Sequence, residues 1–298
     1  RGGNHGFPVL MQEEKGAPNI IFYLFPDDGT MLRISAEGYD CRIPLYLPES
    51  NEILFLARKV VIAPESSEIE TKYSYEQTYS LYGIDLKEGV FKEEPRAYLK
   101  NFHTISDFQK GSGDTIYLVG QKLSEALSRV FLWKRSKDLE QISLGVGGDQ
   151  SVQKSPDGTK LVSLVRGPDE KYSYVVIDLV SKESFALTSI RASRIKGTWD
   201  NNSKNFIFAS SNPGLKDRWE TTVYRVSVPQ LLVSKLFESN FLYSDFTVDE
   251  SGSMLYFLSN YDNNYEVYRY SLETKSQDRL TISTSDETRL GFWTFSGI

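Results

Sequence analysis

Six polar residues recur at one aligned position of a repeating pattern: Arg42, Asp107, Gln150, Lys196, Asp245 and Arg289. Brought to one mouth, a set of this composition suits an anionic or zwitterionic group, with Arg42, Lys196 and Arg289 holding the charge and Asp107 and Asp245 setting its orientation. The same polarity solvates the wet axis usual in such an arrangement, and that structural reading is preferred, with the ligand pocket as its alternative. A second set is aromatic. Tyr73, Tyr75 and Tyr79 lie in a stretch rich in Glu65, Glu68 and Glu70, and Trp219 and Tyr261 occupy other polar loops. Tyrosine and tryptophan among charges is a composition that protein interfaces favour.

Several chemistries lack their residues. The two histidines are His5, near the start, and His103, read as a packing or loop residue rather than a base. Scattered in this way they cannot form a histidine-rich metal site. The single cysteine, Cys41, excludes an internal disulfide or a multi-cysteine metal site and is expected to be a buried thiol. No Gly-x-Ser-x-Gly elbow occurs. Gly145 to Gly148 are followed by neither a helix pattern nor Gly-Lys-Ser, so they read as a connector and not as a phosphate loop. Asp200-Asn201-Asn202 and Asp262-Asn263-Asn264 carry oxygens that Ca2+ accepts, yet the same residue types close turns unaided, and the turn reading is preferred. No cofactor is expected.

Bulk properties narrow the partners. The 298 residues are 40% hydrophobic and 25% charged, an ordinary globular balance. A net charge of -6 and a pI near 5.2 argue against nucleic acid and anionic membrane surfaces. No apolar run approaches the roughly eighteen residues that cross a bilayer. The sequence opens at Arg1 without methionine, which reads as a trimmed or processed form. Residues 1–6 are expected to be loose, and a monomer is expected.

The elements that must carry these residues are strands. Aromatic content is 13%, with 18 Tyr and 17 Phe, which suits half-buried strands. Aligning the ends of repeated strand pairs puts Ile34, Tyr98, Ile142, Leu187, Leu236 and Leu280 in register, with spacings of 64, 44, 45, 49 and 44 residues. Within residues 150–188 one period is legible as four strands, the first leading to the turn Pro156-Asp157-Gly158. Four strands in about forty residues make one blade of a propeller, which needs neighbours to bury its faces. The spacing of 64 marks an insertion at about residues 61–79. After Thr281 there is room for one more strand, at 289–295. Before Glu37 there are three, at 7–12, 19–25 and 30–35. The fold expected is therefore all-β, a six-bladed β-propeller of four-stranded antiparallel blades, residues 1–298 forming one domain whose last blade is closed by both termini.

Ser155-Pro-Asp-Gly-Thr-Lys-Leu with Val176-Ile-Asp-Leu, and Asp249-Glu-Ser-Gly-Ser-Met-Leu with Glu266-Val-Tyr-Arg-Tyr and Asp278-Arg-Leu-Thr, resemble the PD40, or TolB-like, β-propeller repeat. Asp200-Asn-Asn-Ser-Lys-Asn-Phe and Leu47-Pro-Glu-Ser-Asn-Glu-Ile are degenerate copies. Trp199-Asp200 is not a WD40 signature, because it falls in a first strand and lacks the Gly-His partner. The resemblance covers nearly the whole chain but specifies a turn rather than a chemistry. It implies a periplasmic or extracellular protein, a candidate lipoprotein anchored before trimming. The related propellers of prolyl-oligopeptidase-like peptidases rely on an appended hydrolase domain, for which this sequence has neither motif nor room.

In a propeller the loops between second and third strands share one face with the blade-to-blade connections, and here that face holds the insertion and the aromatic set. The opposite face carries short polar turns, such as Ser181-Lys182-Glu183. The leading expectation is a non-catalytic module presenting the loop-rich face to a protein or peptide partner. The alternatives are a propeller enzyme, lactonase-like or glycan-processing, working around Asp107 and Asp245, and a binder of a small anionic ligand.

Overall fold

The computed structural model describes residues 7–12, 17–25, 29–35, 37–62, 73–86, 95–135, 139–213, 219–260 and 266–281. Among these there is no helix, and six antiparallel sheets follow one another along the chain. The first sheet is β1 (Phe7–Gln12), β2 (Asn19–Leu24) and β3 (Met31–Arg33). The second is built from β4 (Tyr39–Leu47), β5 (Glu52–Ile62), β6 (Tyr73–Tyr75), β7 (Ser80–Asp85) and β8 (Arg96–Tyr98). The third runs β9 (Phe102–Lys110), β10 (Thr115–Lys122), β11 (Arg129–Lys134) and β12 (Leu139–Gln141).

Three more four-stranded meanders complete the series. They are β13 (Gly148–Lys154), β14 (Lys160–Arg166), β15 (Tyr172–Asp178) and β16 (Ser184–Ala186); β17 (Thr198–Trp199), β18 (Asn205–Pro213), β19 (Trp219–Ser227) and β20 (Leu232–Ser239); and β21 (Tyr243–Val248), β22 (Met254–Ser259), β23 (Glu266–Ser271) and β24 (Gln277–Arg279). This is the blade architecture of a six-bladed β-propeller. The three amino-terminal strands match the expected ones closely. The closing strand at 289–295 lies outside the described residues.

The chain divides into two compact units, Arg1–Ser128 with Leu132–Leu139, and Arg129–Phe131 with Glu140–Ile298. In the first, Ile21, Ile34, Cys41, Ile53, Phe55 and Ile84 form one core between two sheets. In the second, Trp199, Phe206 and Phe208 pack on Val162, Tyr174 and Val176 of the preceding sheet, while Ile207, Ala209 and Val223 pack on Phe246 and Phe257 of the following one. The alternation of β18 thus serves two cores. Each buried Phe contributes about 1.5–3 kcal/mol of transfer free energy.

Four of the six aligned anchor residues share one hydrogen bond. Ile34, Ile142, Leu187 and Leu280 each donate their N–H to a third-strand carbonyl, of Ile21, Val130, Tyr174 and Val267, at 2.8–2.9 Å. In three blades the next residue completes a lock, because the hydroxyl of Ser35, Ser143 or Thr281 accepts the N–H of that same third-strand residue, at 3.0, 2.8 and 2.9 Å. A short fourth strand is thereby fastened at its end.

The turns between first and second strands explain both the good and the degenerate copies. Gly158, Ser203 and Gly252 have φ of 72°, 61° and 73° and donate to the carbonyls of Ser155, Asp200 and Asp249. Asp200 Oδ1 accepts the N–H groups of Lys204 and Asn205, as Asp249 Oδ1 accepts those of Ser253 and Met254. Asp200 to Ser203 is thus the same turn with serine in the left-handed seat, the turn role that its residue types suit. The partner candidate at Asp262 to Asn264 falls outside the described residues. Asn51, with φ of 48°, holds the left-handed conformation one position later in a turn of the same length, where Leu47 pairs with Glu52.

Burial of Glu52 requires partners. Its carboxylate accepts Tyr98 OH at 2.7 Å and meets Arg96 and Arg135, and Gly83 leaves the space it fills, since a Cβ there would collide with Oε1 and the Tyr98 ring. Gly147 is equally constrained: a Cβ would stand 2.5 Å from Val165 Cγ1 and 2.7 Å from the Arg166 carbonyl oxygen. The connector reading of Gly145 to Gly148 therefore conceals one position without tolerance. Gly158→Val should cost on the order of 1–3 kcal/mol through backbone strain, and Gly147→Ala should also destabilise, by steric conflict with backbone. Gly145→Ala, with nothing within 4 Å, should leave the urea midpoint unchanged; equal tolerance at all three sites would contradict the geometry.

Candidate binding site

The insertion is continuous with the blade. β5 pairs through Glu52 to Ala57 with β7 and through Val60 to Ile62 with β6, so one eleven-residue strand serves the blade and then a ribbon that leaves it. The expected insertion at 61–79 is trimmed at both ends: residues 61–62 complete β5, residues 73–75 are β6, and 63–72 lie outside the described residues. At the root of the ribbon the structure assembles a cluster absent from the expectations above.

Asp40, on β4, is its hub. Oδ1 accepts the backbone N–H and the Nδ2 of Asn19 at 3.0 and 2.9 Å; Oδ2 accepts Arg58 Nε at 2.8 Å and Tyr79 OH at 2.6 Å. Arg58, with its side chain 20% exposed, has its guanidinium carbon 4.5 Å from the Tyr75 ring centroid and 4.8 Å from that of Tyr79. Arg42 stacks on Tyr79 at 4.5 Å. Arg42, Tyr79, Arg58 and Tyr75 thus make an alternating cation and ring series, each contact worth about 0.5–1 kcal/mol at an exposed site. Arg58 Nη1 and the Lys59 N–H also reach Glu76, and the Tyr79 carbonyl accepts the Ile105 N–H.

Burial by itself would raise the Asp40 carboxyl, but the bonds from Tyr79, Asn19 and Arg58 outweigh it and hold the group below its ordinary 3.8. Tyr79 moves the other way: burial, the bond to Asp40 and the charge of Asp40 all push its phenol up. The cluster is therefore a fixed carboxylate, one neutralised arginine and one surplus arginine.

The first strands β4, β9, β13 and β21 share a second feature. Each carries a bulge in its pairing with the second strand, skipping Ile43 and Pro44, Ser106, Gln150, and Asp245 and Phe246. Four of the six candidate ligand residues lie at or beside these bulges, which re-aim side chains. Gln150 and Asp245 are bulge residues, and Arg42 and Asp107 flank one. Arg42 and Asp245 are exposed, Gln150 and Lys196 half-buried, and Asp107 is buried at 4% rather than presented to solvent. Gln150 Nε2 donates to the carbonyls of Gly148 and Asp149. Lys196 precedes β17. Arg289 and Tyr261 lie outside the described residues; Tyr73 and Trp219 are placed by backbone pairing with Ile62 and Pro213. His103 is exposed on β9, neither a loop residue nor a packing one.

Arg42 and the tyrosines, assigned from sequence to two separate sites, are thus brought together. Asp40 and Arg58 were missed; their signal is two opposite charges in otherwise apolar and aromatic strands, Tyr39-Asp40-Cys41 and Leu56-Ala57-Arg58. Among the described residues no group of three or more His, Cys, Asp or Glu could hold a metal ion, and no helix is long and apolar enough to cross a membrane.

The fold defines a six-bladed β-propeller. Among solved structures it is similar to TolB from Acinetobacter baumannii, with a TM-score of 0.57 and 13% identity over 93% of this chain and 63% of that one, and to a putative TolB from Agrobacterium tumefaciens, with 0.57 and 15% over 84% and 83%. It also superposes on a Mycobacterium tuberculosis puromycin-hydrolyzing peptidase, with 0.62 and 10% over 93% of this chain and 45% of the peptidase. The chain thus spans less than two thirds of the Acinetobacter protein and under half of the peptidase. No family model and no curated protein sequence matches it.

Because the folded Asp40 carboxyl lies below its unfolded value, its stabilising contribution is present above about pH 4 and is lost as the pH falls through the lower folded value. Asp40→Asn, which breaks a buried pair, should cost roughly 3–5 kcal/mol at pH 7. Unfolding free energies of the two proteins measured from pH 7 to pH 2.5 should converge toward the acid end; a constant difference would show that Asp40 is not held ionised by this cluster.

Proposed function

We propose that this chain is a non-catalytic interaction module that offers the β5–β6 ribbon and the loops beside it to a protein or peptide partner in the bacterial cell envelope or outside the cell. The observation that carries this reading is the rooted ribbon. An eleven-residue strand leaves its blade, and its base is braced by a hydrogen-bonded carboxylate and stacked cation and ring contacts. Bracing of this kind reduces the ordering cost when a partner settles on the ribbon. The envelope location rests on the likeness to TolB proteins, which at this identity concerns the fold, and on the repeat resemblance. A hydrolytic reading draws less support: the matched peptidase is more than twice as long as the matched chain segment, the sequence has no Gly-x-Ser-x-Gly, and Asp107 is buried.

The bracing changes how the ribbon can be removed. Cutting out the whole of 61–79 would take Tyr79 from Asp40, so the loss would be one of stability as well as of binding. Replacing only residues 63–72 by Asn-Gly, a two-residue hairpin turn, keeps the braced base and should shift the melting temperature little. Peptides selected from a displayed library on the intact protein should lose binding to this shortened form and retain it on Lys182→Glu, in a turn of the other face. Peptides displaced by Lys182→Glu alone would place the partner surface on the wrong face, and turnover of lactone or glycoside substrates abolished by Asp107→Asn would replace the interaction reading with an enzymatic one.

A further inference from the structure

The surplus arginine of the cluster is built differently from its charge-paired neighbours, and unlike Arg33, which is also exposed and without an ion pair among the described residues, it is seated on a ring. Arg58 spends its charge on Asp40, Arg96 lies against Asp85 and Glu52, and Arg135 against Glu52. Arg42 is exposed, and among the described residues its only recorded contact is the ring of Tyr79 beneath it. A guanidinium stacked on a ring keeps all its donors in plane and available, and its fork matches a carboxylate bidentately. Tyr79 is itself immobilised, by its hydroxyl on Asp40 and by Arg58 on its ring. In a chain of net charge -6, such an uncommitted and supported cation is a focused attraction for an anion.

The backbone beside Arg42 supplies a second, independent sign. Ile43 has φ of +49°, a left-handed conformation that β-branched residues rarely adopt, and it precedes Pro44, which favours an extended conformation in the residue before it. In β21 the bulge residue with φ of +52° is Asp245, a type that tolerates the region. Strain retained at a β-branched residue, where a tolerant type would serve, is a mark of sites that a fold over-determines. Here it turns the strand directly after Arg42.

We infer that Arg42, seated on Tyr79 and followed by the Ile43 bulge, is a carboxylate receptor that takes an acidic side chain or a free C-terminus of a peptide partner. The inference rests on the partner reading above and specifies its chemistry. The site is the root of the ribbon, where Tyr75 continues the same cation and ring series.

The test uses the full chain uniformly labelled with 15N and three probes: acetyl-Ala-Ala-Ala with a free carboxylate, acetyl-Ala-Glu-Ala-amide, and acetyl-Ala-Gln-Ala-amide. A saturable shift of the Arg42 Nε–Hε resonance is expected with at least one acid peptide, and which of the two responds separates a C-terminus from a side chain. Arg42→Lys, followed through the Tyr79 backbone amide, should weaken the response about tenfold, because a point charge replaces the fork, and Arg42→Ala should remove it. Silence with both acid peptides overturns the inference, as does an equal response to the glutamine peptide or binding indifferent to both substitutions. Library-selected peptides that bind wild type and Arg42→Ala alike would sink the carboxylate receptor and leave the partner reading standing. Failure to select any peptide would sink the partner reading, while the acid-peptide titration still decides the chemistry of Arg42.

Discussion

A four-stranded sheet of this size has two faces to bury and only neighbouring sheets to bury them against. This constraint organises the chain. It explains why β18 alternates Phe206 and Phe208 toward one core with Ile207 and Ala209 toward another, and why the anchors Ile34, Ile142 and Leu187 are buried apolar residues. It also explains the locks at Ser35, Ser143 and Thr281. A three-residue outer strand makes few ladder bonds, so a hydroxyl that satisfies the third-strand N–H holds the end that pairing cannot.

Carboxylates buried among these sheets follow from the same constraint. Asp40, Glu52, Asp149 and Glu266 each lie at or below 3% exposure, where an unpaired charge would cost several kcal/mol. Two solutions are visible. Asp40 and Glu52 are held by arginine and tyrosine together, which favours the ionised form at Asp40. Asp149 is held by the hydroxyls of Ser143 and Ser163, and burial wins there, raising its carboxyl. A raised acid favours the folded state less as the pH climbs through its titration, the opposite sign to Asp40. The chain thus contains two buried acids whose pH dependences oppose one another.

The fold was legible because its signals are local and repeated. Gly158 and Gly252 mark a left-handed turn, strand alternation marks the faces, and Leu187 and Leu280 mark the end of a period. Serine at 203 hides the same turn, and asparagine at 51 a form shifted by one position, because the left-handed seat needs a backbone angle that more than one residue type can adopt. The site was legible in part. Arg42, Tyr75 and Tyr79 could be named as candidates, but their meeting depends on how far β5 runs past its blade, and periodicity does not fix where a strand stops serving one sheet and begins serving another. Asp40 and Arg58 escaped notice because a charge within a strand has meaning only once its cross-strand neighbour is known. Their register, Asp40 opposite Arg58, is a tertiary fact.

The bulges connect fold to site. A strand that lines a sheet edge without interruption sends alternate side chains to opposite faces, which would bind the fate of Arg42 to that of its neighbours. One skipped residue breaks that coupling. In β4 ordinary alternation puts Cys41 in the core at 0% exposure and Arg42 on Tyr79 outside it, and the skip that follows resets the alternation for Leu45 to Leu47. In β13 the skip falls on Gln150, between buried Asp149 and buried Val152. The same irregularity therefore does two things in each of the four blades: it keeps a first strand packed through most of its length, and it places one polar side chain beside the core. Position in the bulge is common to all four blades, and residue type is not. Arginine, serine, glutamine and aspartate at or beside it give a chain with one repeated scaffold several distinct chemical points, of which Arg42 is the one supported by an aromatic platform and left with its charge uncommitted.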